Sequence, residues 1–369
     1  KLLWKVKFKI KDIFKDHWNN FVDKYKNITI RDVVFKNVNK ILKCKTFSLG
    51  YTEYECPNCH KSLVVPNTCK SRFCSSCGNK YNEDRAISIY SKLFKHPHRH
   101  VVWTIPKELR RFFREDRSRL NYIFEAASIT IKYWFKIKYK KKNLTPAYIS
   151  VLHTYGRSLI WNPHIHMILL DGGISNTGIV KVDFFAYSSF RKRFMKVLLD
   201  LLEKDIGKEK FRNIKNKLYL DKTNGFYVYA PKSKFKNYIE LIKYVTRYLS
   251  RPVMAESRII DYDGTYVTFW YQRHEDDKIV IEKIHAYEFI SRLIIHIPEE
   301  NFKYIRFYGA YCNTTKCHKS FLKLFNEKVI EFKEKANKWR LKIITNFHID
   351  PLSCPICKTN MVYLKSEYF

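Results

Sequence analysis

Within "WNPHIHMILL", residues 161–170, His164 and His166 flank one isoleucine and precede an apolar run. On an extended strand, residues i and i+2 share a face, so the two imidazoles project together while Ile165 points away from them. Two neutral imidazoles side by side supply two of the three protein ligands that a divalent ion needs. The spacing recurs at His96/His98 and His98/His100, but with proline and arginine between the histidines. Only 164–166 has an apolar middle residue, an apolar strand after it and Asn162-Pro163 before it. "AYISVLHTYG" and "PHIHMILLDGG" read as two strands joined by "RSLIWN", a connection short enough for antiparallel pairing. That pairing can set His153 opposite His164 on the same face, which makes His153 the first choice for a third ligand. His100, on the short strand "HVVWTIP", is the second.

A pair of phenols completes the chemistry. "KYVTRYLSRP" places Tyr244 and Tyr248 at i and i+4, one turn apart on a helix whose apolar stripe is Ile239, Ile242, Val245 and Leu249. Tyrosine is abundant, with 26 residues, and the same spacing recurs at Tyr262/Tyr266 and Tyr304/Tyr308. The first of those spans a hairpin turn, whereas 244 and 248 stand among Lys243, Arg247 and Arg251. A phenol surrounded by cations can attack a phosphodiester in line while an ion such as Mg²⁺ or Mn²⁺ polarises the phosphate. The product is a 5′-phosphotyrosyl link and a free 3′-OH, from which the strand can be resealed without ATP. Whether one or both tyrosines attack stays open at this level, with Tyr248 nearer Arg247, Arg251 and the helix end.

The ten cysteines are clustered. Cys56, Cys59, Cys69, Cys74 and Cys77 fall within 22 residues, and Cys354 and Cys357 form a second close pair. The knuckles "CPNC" and "CSSC" are expected to close one tetrahedral structural zinc site through Cys56, Cys59, Cys74 and Cys77, with Cys69 able to replace one of them. Lys70 and Arg72 beside it are placed to meet phosphates. "CPIC" forms only half of a second site. Cys312, Cys317, His318 and His348 are available to complete it, at irregular spacing.

Composition narrows the substrate. Lys and Arg total 70 against 35 acidic residues, a formal net charge of +35 in 369 residues. Such a surplus repels itself unless a polyanion neutralises it, which points to nucleic acid. The basic residues run through the whole chain and not one amphipathic segment, which argues against an acidic membrane surface. Aromatic residues make up 16% and interleave with the cations, which suits base stacking on unpaired DNA or hairpin ends. No stretch approaches the roughly 18 apolar residues of a membrane span, and the start reads as an amphipathic helix and not a signal peptide. A cytoplasmic, nucleoid-associated protein is expected.

The elements that must position these groups follow from periodicity. Residues 1–43 read as basic helix, 44–80 as cysteine-rich loop, "HVVWTIP" as strand and 117–139 as a long helix. After the two histidine strands come a helix over 183–204, the strand "GFYVYA" and the tyrosine helix. "SRIIDYDGTYVTFWYQ" is the clearest hairpin, with Asp263-Gly264 at its turn. Hairpins without crossovers predict an α+β fold, with a central antiparallel sheet backed by helices. We expect an N-terminal helical and zinc-binding domain over 1–97, a nuclease domain over 98–260 and a C-terminal domain over 261–369.

These motifs together resemble the HUH rolling-circle transposases of the insertion-sequence type numbered ninety-one, from about Cys44 to the C-terminus. "CKTFSLGYTEYECPNC" and "TCKSRFCSSCG" are similar to that family's zinc-binding region. "HVVWTIP", "LHTYGRSLIWNPHIHMILLDGG", "YVTRYLSRP" and "VTFWYQ" are similar to its nuclease core, and "IRFYGAY" to its C-terminal part. The resemblance implies a single-strand DNA transposase with His164 and His166 as metal ligands and Tyr244 and Tyr248 as candidate nucleophiles. Phe73 stands where relatives often carry histidine, which leaves cysteines as the zinc ligands, and Lys358 follows "CPIC" where relatives often have glycine. Two other readings compete: a replication initiator or relaxase with the same chemistry, and a non-catalytic zinc-dependent DNA-binding protein.

Overall fold

The computed structural model describes residues 8–27, 29–78, 81, 89, 92–94, 96–182, 187–229, 253–273, 275–312, 340, 350 and 352–369. The expected tyrosine helix, with Lys243, Tyr244, Arg247, Tyr248 and Arg251, lies outside the described residues, as do Cys317, His318 and His348.

In chain order the first elements are α1 (Ile10–Lys24), α2 (Asp32–Lys43), β1 (Tyr51–Glu55), β2 (Ser62–Pro66) and β3 (His98–Thr104). Then come α3 (Arg110–Glu115), α4 (Leu120–Lys138), β4 (Thr145–Tyr155), β5 (Trp161–Ser175) and β6 (Gly178–Lys181). After these follow α5 (Tyr187–Ile206), α6 (Lys208–Asp221), β7 (Val228–Tyr229), β8 (Ile259–Tyr262) and β9 (Tyr266–Gln272). The last are β10 (Ile279–His285), α7 (Ala286–Ile294), β11 (Ile305–Gly309) and β12 (Val362–Glu367). The described strand ladders are all antiparallel and helices pack beside them, so the fold is the expected α+β.

Two compact units divide the chain, one formed by Lys1–Ser91, Ser250–Ile297 and Asn326–Phe369, the other by Lys92–Leu249 and Pro298–Phe325. The first break falls between Ser91 and Lys92. The expected C-terminal domain over 261–369 is not one body, and the reason is strand pairing. β11 closes one edge of the second unit's sheet on β4, while β8–β10, α7 and β12 belong to the first unit.

The second unit is a six-stranded sheet in the order β11-β4-β5-β3-β7, with β6 paired to β5. Alternation gives its central strands two different faces. On one, Trp103, Ile165, Met167 and Leu169 are fully buried, and Trp103 packs against Phe190 and Phe194 of α5. Tyr148 joins the same side and shares a 2.7 Å hydrogen bond with Ser128 of α4. The opposite face carries His153, His164 and His166. Burying four large side chains on the helix side leaves no freedom to slip by one residue, because a slip would exchange the faces.

The first unit holds two three-stranded sheets, β12-β1-β2 and β10-β9-β8. The expected hairpin is β8–β9, and its turn is held by Asp263, whose carboxylate accepts from the amides of Thr265 and Tyr266 at 2.9 and 2.7 Å. The segment expected as loop over 44–80 contains β1 and β2. Their partner strand, β12, comes from the far end of the chain, so no local pattern announced the sheet.

Candidate active site and metal centres

The histidine site is a product of register. His153 on β4 lies directly opposite His164 on β5, and Val151 opposite His166. On the other side of β5, β3 sets Thr104 opposite His164 and Val102 opposite His166. Between the His153/His164 and Tyr155/Trp161 pairs the register shifts, with one extra residue on β5. Asn162-Pro163 occupy that irregularity, where a residue with no N–H costs no ladder hydrogen bond.

His153, His164 and His166 bring one ring nitrogen each within 4.8 Å of one another. The His164 Nδ1–H donates to the Asn162 carbonyl at 2.7 Å, so Nε2 is the nitrogen able to hold an ion. His166 Nδ1 lies 2.8 Å from His100 Nε2. The two remaining nitrogens, His164 Nε2 and His166 Nε2, stand 3.1 Å apart. Two nitrogens about 2.1 Å from one ion and at right angles would be about 3.0 Å apart, so the donor set fits a divalent cation. His153 and His166 are almost fully buried, and their ring centroids lie 4.6 Å apart.

His100, the second choice for third ligand, takes a different place. It shares the histidine face but stacks on His166, with centroids 5.0 Å apart. Burial, with a smaller contribution from His164, pushes it down to about 3, so it is neutral. A neutral His100 can accept the Nδ1–H of His166 at Nε2, a contact that would hold that ring with its Nε2 toward His164. Its place behind His166 follows from its register opposite Ile168, two pairs beyond the Val102/His166 pair and so on the same face.

The cysteines are partitioned differently from the expected single site. Cys44, Cys69, Cys74 and Cys77 form one quartet, and Cys56, Cys59, Cys354 and Cys357 another. Thus "CPNC" and "CSSC" do not share an ion's reach. "CPNC" sits at the tip of the β1–β2 hairpin and β2 carries the chain away from it before "CSSC", so each knuckle meets a different partner. In the first quartet the Cys44–Cys77 and Cys69–Cys77 sulfurs are 3.6 Å apart and the Cys44–Cys74 sulfurs 3.8 Å apart. Four thiolates about 2.3 Å from one tetrahedral ion would lie about 3.8 Å apart. The hydrogen bond shared with Cys69, and then that with Cys74, holds the Cys77 thiol far below its ordinary range. Cys44 was not among the expected ligands. It has no neighbour at knuckle spacing, and only its position at the end of α2 brings it in.

Lys70, exposed, and Arg72, half-buried, flank this quartet. Lys70 Nζ lies 6.0 Å from the Tyr368 ring centroid, and Arg72 lies 5.7 Å from that of Tyr81. Cations beside aromatic rings combine a phosphate contact with a stacking surface.

Comparison with known proteins supplies the family. Residues 147–319, which include His153, His164 and His166, match a transposase family model described as "Putative transposase". Residues 13–105 match a model described as "Transposase zinc-binding domain", of the type numbered ninety-one. The chain is 28% identical over 349 residues to the transposase for insertion sequence element IS801 of Pseudomonas savastanoi pv. phaseolicola, covering 90% of this chain and 84% of that protein. It is 27% identical over 290 residues to "Putative transposase y4qJ" of Sinorhizobium fredii, covering 72% of this chain and 71% of the relative. No solved structure matches. The chain belongs to the insertion-sequence transposases of the type numbered ninety-one and carries their zinc-binding domain. Among the described residues, no helix is long and apolar enough to cross a membrane.

Proposed function

We propose that this transposase nicks and rejoins single-stranded DNA at the ends of its element through a 5′-phosphotyrosyl intermediate. The observation that supports this reading most is the convergence of His164 Nε2 and His166 Nε2 at 3.1 Å, with His153 beside them and both Nδ1 atoms engaged elsewhere. Histidines held in that way are preset as ligands and not as acid–base groups.

A bound Mg²⁺ or Mn²⁺ supplies Lewis-acid polarisation of the scissile phosphate. His164 and His166 would hold it through Nε2, with His153 as the third ligand. The phenol oxygen of Tyr244 or Tyr248 bonds to phosphorus as the bond to the 3′ oxygen breaks. The phenol proton passes to solvent and the departing 3′ oxygen takes one up, leaving a 3′-OH. Because the phosphodiester energy stays in the tyrosyl bond, a 3′-OH can attack it later and release the phenol. Two tyrosines suit strand transfer, one holding the first strand while the other cuts the second. Lys70, Arg72, Lys243, Arg247 and Arg251 bind phosphates, and unpaired strands or hairpin ends are the substrate. The thiolates of Cys44, Cys69, Cys74 and Cys77 would fill all four positions of a zinc ion, which would hold shape only.

The test separates cutting from binding. His164→Ala and His166→Ala should each abolish Mg²⁺- or Mn²⁺-dependent nicking of single-stranded element ends. DNA affinity should stay within a few-fold of the parent, because it comes mainly from Lys and Arg. Cleavage at the parent rate by either variant would contradict the proposal.

A further inference from the structure

We propose that the C-terminal knuckle Cys354/Cys357 and the N-terminal knuckle Cys56/Cys59 together bind one zinc ion, a second site beyond the reach of the zinc-binding domain model. That model ends at residue 105, so half of this site lies outside it. The inference stands independently of the DNA chemistry above.

Three observations carry it. First, the four sulfurs already sit at ligand spacing: Cys56–Cys357 at 3.3 Å, Cys59–Cys354 at 3.5 Å and Cys59–Cys357 at 3.6 Å. All four are free thiols at distances far beyond a disulfide bond. Tetrahedral all-sulfur sets take zinc or iron, and the family's zinc domain favours zinc.

Second, the two knuckles are copies of one another. In "CPNCHK" the amide of Cys56 donates to the Lys61 carbonyl at 3.0 Å and that of His60 to the Cys56 carbonyl at 2.9 Å. In "CPICKT" the amide of Cys354 donates to the Thr359 carbonyl at 2.9 Å and that of Lys358 to the Cys354 carbonyl at 3.0 Å. Each places the residue after its second cysteine in the left-handed region, His60 at φ 54° and Lys358 at φ 63°. A non-glycine residue enters that region at a cost and persists where its surroundings fix it. Two equivalent turns, facing each other across one sulfur cluster, give a bound ion two equivalent halves.

Third, the tail is built into this site. β12 pairs with β1 along Tyr51–Glu55, and Met361 is buried against Cys56 and Cys354. The Asn67 side-chain amide donates to the carbonyls of Leu49 and Glu367 at 3.1 and 2.9 Å. Gly50, at φ 81°, lies so close to the Glu367 carbonyl that a Cβ would overlap it. The zinc-binding domain is therefore discontinuous, and its second ion clasps the two ends of the chain.

The experiment uses the full chain carrying His164→Ala and His166→Ala, so that the histidine site adds no metal. Elemental analysis should give two zinc ions per chain. Adding Cys354→Ser and Cys357→Ser should leave one, as should adding Cys44→Ser and Cys74→Ser instead. Retention of two zinc ions by the Cys354/Cys357 variant, one ion in the parent, or iron in place of the second zinc would overturn the proposal. A second measurement needs no cysteine change. Alkylation of the folded parent, mapped by mass spectrometry during chelation, should open Cys56, Cys59, Cys354 and Cys357 in one phase with release of one zinc. Free alkylation of Cys354 and Cys357 while Cys56 and Cys59 stay protected would refute the clasp.

Discussion

At the scale of single residues, the histidine face separates the proposed ligands from the group that would aim one of them. His100 reaches His166 at Nδ1, not the converging Nε2 atoms, so its role runs through His166. Loss of such an outer partner costs about 10–100-fold in metal affinity or activity. We therefore expect His100→Ala to weaken Mn²⁺ binding by about that factor, measured by calorimetry on the DNA-free protein. His100→Gln, which keeps an acceptor, should recover most of it. Unchanged Mn²⁺ affinity in His100→Ala would leave His100 as a packing residue only. Sequence alone placed His164 and His166 on one face and favoured His153. It could not separate a third ligand from a ring behind a ligand, because that depends on the register of β3 on β5, which sets His100 two pairs from His166.

At the scale of elements, what was legible was local. The histidine hairpin and β8–β9 show in the sequence because alternation and a short turn lie within some thirty residues. The turn of β8–β9 makes a test. Backbone amides of Tyr266 and Thr265, then Lys283, hold the Asp263 carboxyl down at about 2 against an ordinary 3.8. A lowered carboxylate contributes stability above its ordinary value, and that contribution fades as pH falls through about 2. The Asp263 carboxyl carbon should titrate near 2 by NMR, and a midpoint near 4 would mean the turn is open in solution. The cysteine partition was not legible, for a physical reason. C-x-x-C spacing says which two thiolates share an ion, because the turn is local, but not which two knuckles meet. Cys56/Cys59 meets a knuckle some three hundred residues away through β1–β12 pairing. Cys44 and Cys69 join Cys74 and Cys77 without any knuckle of their own, although Lys45 and Lys70 after them share the left-handed turn of His60 and Lys358.

At the scale of the whole molecule, the chain leaves its first unit after Ser91, builds most of the sheet that carries the histidines, returns at Ser250, goes back at Pro298 to add β11, and re-enters the first unit at Asn326. Contiguous boundaries at 97/98 and 260/261 could not express that path, since β11 and β12 return to different units. A formal charge of +35 gives both units reason to meet a polyanion. The central claim is that a tyrosine of this chain becomes covalently joined to DNA. The direct measurement is to incubate the protein with single-stranded element-end DNA and Mn²⁺, isolate the SDS-resistant complex and map the modified peptide by mass spectrometry. The account predicts a phosphotyrosyl link on Tyr244 or Tyr248, lost in the double Phe variant and in His166→Ala. An adduct that persists in the double Phe variant, or cleavage with no adduct at all, would contradict it.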